Sequence, residues 1–245
     1  MNYRIYIFLV ICFAASAVFA NNEDTTFILI TSLYNETNEQ RMQEYSTCLN
    51  NNLAHPLIKK IIVFYDTSQD NATNTLLSRL SKTNSVDIQF ISGRPTFGNC
   101  FALANQEYPN NKIIIANADI YFNETLSQLL DYDLNNKFLA LTRWNVQPDQ
   151  SLKMYYYKNN RPATVSQDTW IFQSPIKQFR KTNIMLGTQH CDGKIAYQAK
   201  NAGLRVSNPC YTIQTCHLHL SDIRHYAKNI SRKDAISVAW SHLKK

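Results

Sequence analysis

Residues Lys112–Phe122 have the sequence KIIIANADIYF, in which an Ile-rich run of strand length ends abruptly at Asn117-Ala118-Asp119. Such a run is typical of a strand buried on both faces, and open α/β sheets bind ligands at the carboxyl ends of such strands. Residues two apart in an extended segment point the same way, so Asn117 and Asp119 are predicted to face one site. Their oxygen atoms suit a divalent cation that keeps free coordination positions for phosphate. The alternative interpretation is an ordinary buried strand followed by an Asn/Asp turn.

Strand and helix patterns alternate through the first half of the chain. Strands are predicted over Thr26–Leu33, Lys60–Asp66, Val86–Ile91 and Lys112–Ile120, and helices over Glu36–Leu53, after a cap at Asn71, and over Phe97–Tyr108. This alternation predicts βαβ units with right-handed crossovers. The expected fold class is α/β, Rossmann-like, with a mainly parallel central sheet flanked by helices.

The second half is less regular. The predicted elements are a strand at Lys137–Trp144, a loop or hairpin at Gln147–Arg161, a strand at Trp170–Phe172, a helix at Cys191–Ala202 closed by Gly203, strands at Arg205–Val206 and Tyr211–His219, and a helix capped by Ser221. Neither a repeat nor a linker divides this part of the chain. Residues 21–245 are therefore expected to form a single domain.

The N-terminus has the pattern of a secretory signal peptide. Arg4 precedes an apolar run at Ile5–Ala17, and Val18-Phe19-Ala20 offers small residues at the positions that signal peptidase requires. Residues 1–20 are therefore expected to be removed, with an uncleaved anchor as the alternative. No later segment is long and apolar enough to span a membrane.

Charge and cysteine content narrow the functional classes. The formal net charge of +7 is spread thinly, without a dense basic stripe, so no nucleic-acid partner is expected. The absence of Cys-x-x-Cys argues against a structural zinc site. A disulfide between Cys210 and Cys216 is left open.

Two histidines and two acids in the second half are candidates for chemistry. His217 and His219 are predicted to lie on one face of a strand at a metal-ligand spacing, although surface histidines give the same pattern. Asp168 precedes an apolar strand, where it is either a turn residue or functional. Asp192 opens a helix, where it is either a cap or a general base.

Other polar residues follow the predicted strands of the first half. Arg94 lies before a helix, where a guanidinium suits a diphosphate. Asp66 ends a strand, where an acid suits a ribose hydroxyl, and Thr31 and Tyr34 are predicted to line the same crevice. Gly-x-Gly-x-x-Gly, Walker and Gly-x-Ser-x-Gly motifs are absent, which disfavours dehydrogenases, kinases and serine hydrolases.

The segments IIIANADIYFNETL, SQDTWIF and HLHLSDIRHY, in this order, resemble the GT-A type of nucleotide-diphospho-sugar glycosyltransferase over about residues 26–226. The resemblance implies a divalent cation, Mn²⁺ or Mg²⁺, held by Asp119 and by His217 or His219. Asn117 stands where that family usually has its first Asp. The implied catalytic base is Asp192, with Asp168 as the second choice.

The implied partners are a nucleotide-diphospho-sugar donor, whose binding residues include Thr31, Tyr34, Asp66, Arg94 and Asn117, and an acceptor hydroxyl on a glycan or protein. A degenerate carbohydrate- or nucleotide-binding module and a secreted metal-dependent hydrolase are the alternatives. The expected location is the secretory pathway: secreted or Golgi lumen in a eukaryote, exported or delivered to a host in a bacterium.

Overall fold

The central strand of the fold is Lys112–Ala116, in which Ile113, Ile114 and Ile115 have no exposed surface. In the computed structural model, which describes residues 26–68, 75–157, 159–223 and 231–244, this strand belongs to a seven-stranded sheet. The strands in order across the sheet are β10 (Arg205–Ser207), β6 (Lys137–Leu141), β9 (Thr169–Gln173), β4 (Lys112–Ala116), β1 (Phe27–Tyr34), β2 (Ile58–Asp66) and β3 (Val86–Ile91).

The sheet is mainly parallel. Only β9 runs against its neighbours, and it pairs antiparallel with both β4 and β6. The other neighbouring pairs are parallel. The predicted α/β class with a mainly parallel central sheet is therefore confirmed.

Helices cover both faces of the sheet. They are α1 (Glu39–Ala54), α2 (Thr75–Leu80), α3 (Phe97–Glu107) and α4 (Cys191–Asn201), with a 3-10 helix at Glu124–Leu129. Ile114 joins the apolar cluster on one face, whereas Ile113 and Ile115 join the cluster on the other. Successive side chains of this strand therefore pack into the cores on opposite faces of the sheet, which is why residues 113–116 are all apolar.

Two predicted strands are interrupted, and each interruption moves the chain to a second sheet. β4 ends at Ala116, and Ile120–Phe122 forms a separate strand, β5. The predicted strand Lys137–Trp144 likewise divides into β6 and a new strand, β7 (Trp144–Val146). The second sheet has the order β5-β11-β7-β8, with β8 (Leu152–Met154) and β11 (Thr215–His217).

Asn52 of α1 fixes the first of these breaks. Its side-chain amide donates to the carbonyl of Ile120 (2.9 Å) and accepts from the backbone N–H of Phe122 (3.1 Å). Asn52 is buried, so both hydrogen bonds replace water at the edge of β5. Helix α1 therefore holds β5 away from the direction of β4.

Several sequence predictions concern residues that the structure does not describe, and one concerns a disulfide. Residues 1–20, the cap at Asn71 and the core of the helix expected after Ser221 lie outside the described residues. Cys210 and Cys216 are buried free thiols, so the disulfide that was left open is not formed. Of the helices in the described ranges, none has the length and apolar character needed to cross a bilayer.

Because β4 is central and buried, truncating one of its side chains is expected to lower the free energy of unfolding substantially. Ile114→Ala should lower the free energy of unfolding by about 2–5 kcal/mol, and Ile114→Val by about 0.5–1.5 kcal/mol, measured by urea denaturation. The Val variant is the matched control because it removes one methylene from the same site. A loss below about 1 kcal/mol for the Ala variant would contradict a fully packed central strand.

Candidate functional site

The segment after β4 is a turn, so Asn117 and Asp119 do not point the same way along an extended strand as predicted, although both line the same cavity. The backbone N–H of Ile120 donates to the carbonyl of Asn117 at 3.1 Å, which closes the turn. The two side chains consequently diverge. The amide of Asn117 donates to Asp168 (3.2 Å), whereas Asp119 turns towards α1 and β11.

Asp119 meets both candidate histidines. Its Oδ2 atom lies 3.2 Å from Nε2 of His217 and 3.9 Å from Nδ1 of His219, and one ligand atom from each of the three residues lies within 4.8 Å of the others. Strand β11 brings them together because it pairs antiparallel with β5, with His217 opposite Ile120. His219 lies beyond the end of β11, so strand alternation does not place it, yet its ring centroid is 5.3 Å from that of His217.

Arg41 is a further partner of Asp119 that the sequence did not indicate. Its Nη2 atom lies 2.5 Å from Oδ2 of Asp119, and its Nη1 atom donates to Glu44 at 2.7 Å. Burial by itself raises the pKa of Asp119, but His217 and Arg41 outweigh burial and hold that pKa well below its usual range. In sequence, Arg41 and Glu44 look like an ordinary exposed i,i+3 pair on a helix.

The donor set around Asp119 fits a divalent cation. Oδ1 of Asn145 accepts hydrogen bonds from Nε of Arg143 and from Nδ1 of His217, each at 3.1 Å. His217 donates its Nδ1–H to Asn145 and turns Nε2 towards Asp119, so Nε2 is the nitrogen that would take a cation there, which is the usual arrangement of a ligating histidine. Among the described residues none donates a hydrogen bond to the buried Oδ1 atom of Asp119. One carboxylate and two imidazoles suit a divalent first-row transition-metal ion such as Mn²⁺.

Asp168 is held by a guanidinium. Nη1 of Arg143 lies 3.0 and 3.2 Å from its two carboxylate oxygens, and Asn117 donates the third hydrogen bond. All of these contacts are largely buried. Asp168 therefore holds the Asn117 amide and the Arg143 guanidinium in place.

Asp192 lies in the first turn of α4 and is not its cap. The N-cap is His190, which has a positive φ of 64° and makes no side-chain capping bond. Asp192 accepts hydrogen bonds from the backbone N–H groups of Gly193 (2.8 Å) and Gln167 (3.2 Å). Burial is the main cause that raises the pKa of Asp192 to about 6, and the charge of Asp168 adds to it.

Two adjoining cavities, each of about 360 Å³, form one cleft at this edge of the sheet. The first, called here the inner cavity, is lined among others by Asn117, Asp119, Asp168, Asp192, His217 and His219. The second, the outer cavity, is lined by Asp66, and both share Ser32, Tyr34 and Arg94. Thr31 was predicted to line this cleft, but it lies within β1 and is buried, and Ser32 takes that place.

Arg94 is oriented by a loop that requires glycine. Its Nη1 atom donates to the carbonyls of Leu186 (3.1 Å) and Gly187 (3.4 Å). Gly187 has a φ of 72°, and a Cβ atom there would lie 3.1 Å from that guanidinium nitrogen. Any side chain at position 187 would therefore be strained and would press on Arg94. Asp66, at the other end of the cleft, accepts the backbone N–H of Gly93 (2.8 Å).

No family model and no curated protein matches the chain, but solved structures of the same fold do. Mannosyltransferase PcManGT from Pyrobaculum calidifontis, in complex with GDP-Man and Mn²⁺, is 12% identical with a TM-score of 0.53, covering 82% of this chain and 58% of its own. GalNAc-T7 with UDP, GalNAc and Mn²⁺ is 10% identical with a TM-score of 0.51, covering 85% of this chain and 45% of its own.

The fold is of the GT-A type. This confirms the resemblance seen in sequence at the level of the fold. The chain spans about half the length of these two proteins, so much of each has no counterpart here. In this GT-A-type fold the cleft lies at the carboxyl ends of β1, β2 and β4, where ligands of open α/β sheets bind.

The raised pKa of Asp192 predicts a pH-dependent stability. Between about pH 4 and pH 6 the folded state binds more protons than the unfolded chain, so the free energy of unfolding falls as pH rises. Relative to Asp192→Asn, which cannot titrate, the wild type should lose up to about 3 kcal/mol between pH 4 and pH 7. Urea denaturation of both proteins across this range measures the difference, and a flat difference would contradict the assigned pKa.

Proposed function

We propose that this protein is a metal-dependent glycosyltransferase that transfers a sugar from a nucleotide-diphosphate donor to an acceptor hydroxyl. The observation that carries the proposal is the convergence of Asp119, His217 and His219 at the ligand-binding edge of a GT-A-type sheet. Arg94 and Asp192 line the same cavity. A guanidinium that would bind phosphate and a carboxylate that would take a proton therefore lie beside that cluster.

In this proposal the nucleotide-sugar donor would extend through both cavities of the cleft. Asp66 and Tyr34 of the outer cavity would receive the nucleoside, with the Asp66 carboxylate accepting a hydroxyl or base N–H. Arg94 lines both cavities and would bind the diphosphate where the two meet. Asn117 lies next in the inner cavity, and its bond to Asp168 holds its carbonyl oxygen near Gly187 and the donor path.

Asp119, His217 and His219 would hold Mn²⁺ or Mg²⁺, with Mn²⁺ favoured by the two nitrogen donors. A cation bound there supplies Lewis-acid stabilisation of the charge on a leaving diphosphate. Asn145 and Arg143 support this arrangement because they fix the proton of His217 on Nδ1. The two neighbours of the same fold were solved with Mn²⁺, which supports the assignment.

Asp192 is assigned the general base. Its pKa of about 6 leaves the carboxylate ionised at neutral pH yet basic enough to take a proton from an acceptor hydroxyl. The backbone N–H groups of Gly193 and Gln167 hold the carboxylate in place. Asp168 is the weaker candidate because Arg143 already neutralises it.

A nucleotide-binding module without turnover is the second candidate. It is favoured by the Asn117 amide, which is engaged with Asp168, and by Arg41, which occupies a carboxylate oxygen of Asp119. A metal-dependent hydrolase built on the same two histidines remains the third. The proposed acceptor is a glycan or protein hydroxyl. From the signal-like N-terminal sequence we infer that the activity would belong to the secretory pathway.

A donor screen tests the proposed function. GDP-mannose and UDP-GalNAc are the first donors to try, because the neighbours were solved with GDP-Man or with UDP and GalNAc. Release of free nucleotide that requires Mn²⁺ would support the transferase. Nucleotide binding without release would support the binding module, and cleavage of simple phosphoesters without donor turnover would support the hydrolase.

Asp119→Ala is expected to abolish donor turnover and to weaken Mn²⁺-dependent nucleotide binding about 100-fold, because it removes the only carboxylate of the ligand cluster. Calorimetry with UDP and GDP, with and without Mn²⁺, measures the binding. Asp87→Ala, which removes a partly exposed carboxylate on β3, is the control and should behave as wild type. Unchanged Mn²⁺-dependent binding in the Asp119 variant would refute the proposed ligand.

Asp192→Asn should leave nucleotide affinity within about threefold of wild type while lowering transfer about 100–10,000-fold. Asn nearly preserves the shape of the side chain, and its carbonyl oxygen can still accept one backbone N–H, but it cannot accept the proton. Product formation under single-turnover conditions and nucleotide calorimetry separate the two effects. Full transfer activity in this variant would remove Asp192 from the mechanism and make Asp168 the better candidate.

A further inference from the structure

Arg41 is the least expected member of the site, because it places a positive charge on the carboxylate that is to hold a cation. It reaches from α1 to Oδ2 of Asp119 at 2.5 Å and is itself only 6% exposed. Its Nε atom also donates to the hydroxyl of Tyr45 at 3.1 Å, and the guanidinium carbon lies 4.5 Å from the centre of that ring. The guanidinium of Arg41 is thus fixed by several contacts.

Glu44 is the second acidic partner of Arg41. Its carboxylate accepts Nη1 of Arg41 at 2.7 Å, and it also accepts the backbone N–H groups of Leu220 and Ser221, each at 2.7 Å. The same glutamate therefore anchors both Arg41 and the backbone that follows His219. A guanidinium that leaves Asp119 remains paired with Glu44, so its withdrawal does not create an isolated buried charge.

Arg41 and a divalent cation draw on the same atom. Oδ2 is the Asp119 oxygen that lies nearest to both histidine nitrogens, and it is also the oxygen that Arg41 contacts. A monovalent and a divalent positive charge this close in a buried site repel each other strongly, because the effective dielectric there is well below that of water. The guanidinium must therefore move from Oδ2, or be tolerated at a cost in cation affinity.

We propose that Arg41 is a built-in competitor of the divalent cation for Asp119. It neutralises the buried carboxylate when no cation is bound, and it sets the cation concentration at which the site loads. This inference rests on the metal site of the proposed function, but it concerns the affinity of that site and not the transfer reaction.

The test measures Mn²⁺ affinity without nucleotide, by calorimetry and by the loss of the free Mn²⁺ paramagnetic resonance signal. Arg41→Gln should bind Mn²⁺ at least tenfold more tightly than wild type, whereas Arg41→Lys, which keeps the charge, should stay within threefold. Arg79→Gln removes the same charge from an exposed position on α2, where the Arg79 guanidinium donates to the hydroxyl of Ser46, and should leave the affinity unchanged. Adding Asp119→Ala to Arg41→Gln should abolish the gain.

A second variant distinguishes loss of competition from a folding defect. Arg41→Gln leaves Glu44 and Asp119 without their guanidinium and is expected to melt at a lower temperature without metal, with a larger Mn²⁺-induced rise than wild type. Arg41→Gln combined with Glu44→Gln restores the charge balance and should keep the tighter Mn²⁺ binding. Loss of that gain in the double variant would count against competition for Asp119.

The outcomes separate the two proposals. Equal or weaker Mn²⁺ binding by both neutral variants, with measurable wild-type binding, would overturn the role of Arg41 and leave the proposed function intact. Binding by the neutral variants alone would support the competitor role and would count against a metal-dependent wild-type enzyme. No binding by any variant at millimolar Mn²⁺ would overturn the metal site and this inference together.

Discussion

The burial of one carboxylate organises this molecule. A buried carboxylate is stable only when positive charge or hydrogen-bond donors surround it, and Asp119 is 6% exposed. Its partners come from distant parts of the chain: Arg41 is 78 residues away and His217 is 98 residues away. The backbone takes part as well, since the N–H of Leu218 donates to the carbonyl of Asp119. Compensation of this single charge therefore ties α1, the turn after β4 and β11 together.

The two interrupted strands explain why the cleft has its composition. The chain leaves the large sheet after Ala116 and again after Leu141, and both departing segments enter the small sheet on either side of β11. One departure carries Asp119, and the other carries Arg143 and Asn145. As a result, Asn145 lies between Arg143 and His217 and accepts a hydrogen bond from each. An unbroken β4 or β6 would have kept these residues in the large sheet, apart from the histidines.

The three acidic residues that line the inner cavity differ in the charged and hydrogen-bonding groups around them. Asp119 is surrounded by positive charge, and its pKa lies well below the usual range. Asp168 is bound by Arg143 at both oxygens. Asp192 accepts hydrogen bonds from backbone N–H groups, which do not outweigh its burial, and its pKa is raised. The surroundings thus lower the pKa of Asp119 and raise that of Asp192, a separation that agrees with the roles of metal ligand and base proposed for these two acids.

The sequence by itself determined the fold class and most of the chemical groups. Continuous apolar runs such as Ile113–Ile115 can be stable only in a sheet covered on both faces, so the α/β alternation and the site at the carboxyl ends of the strands were predictable. Local patterns also marked Asp119, His217 and Asp192 as candidates. Only the tertiary structure decided which side chains meet. Asn117 and Asp119 diverge because a turn replaces the expected strand, and Arg41 joins the site because α1 packs on β5. Both depend on long-range pairing, to which a local sequence pattern does not respond.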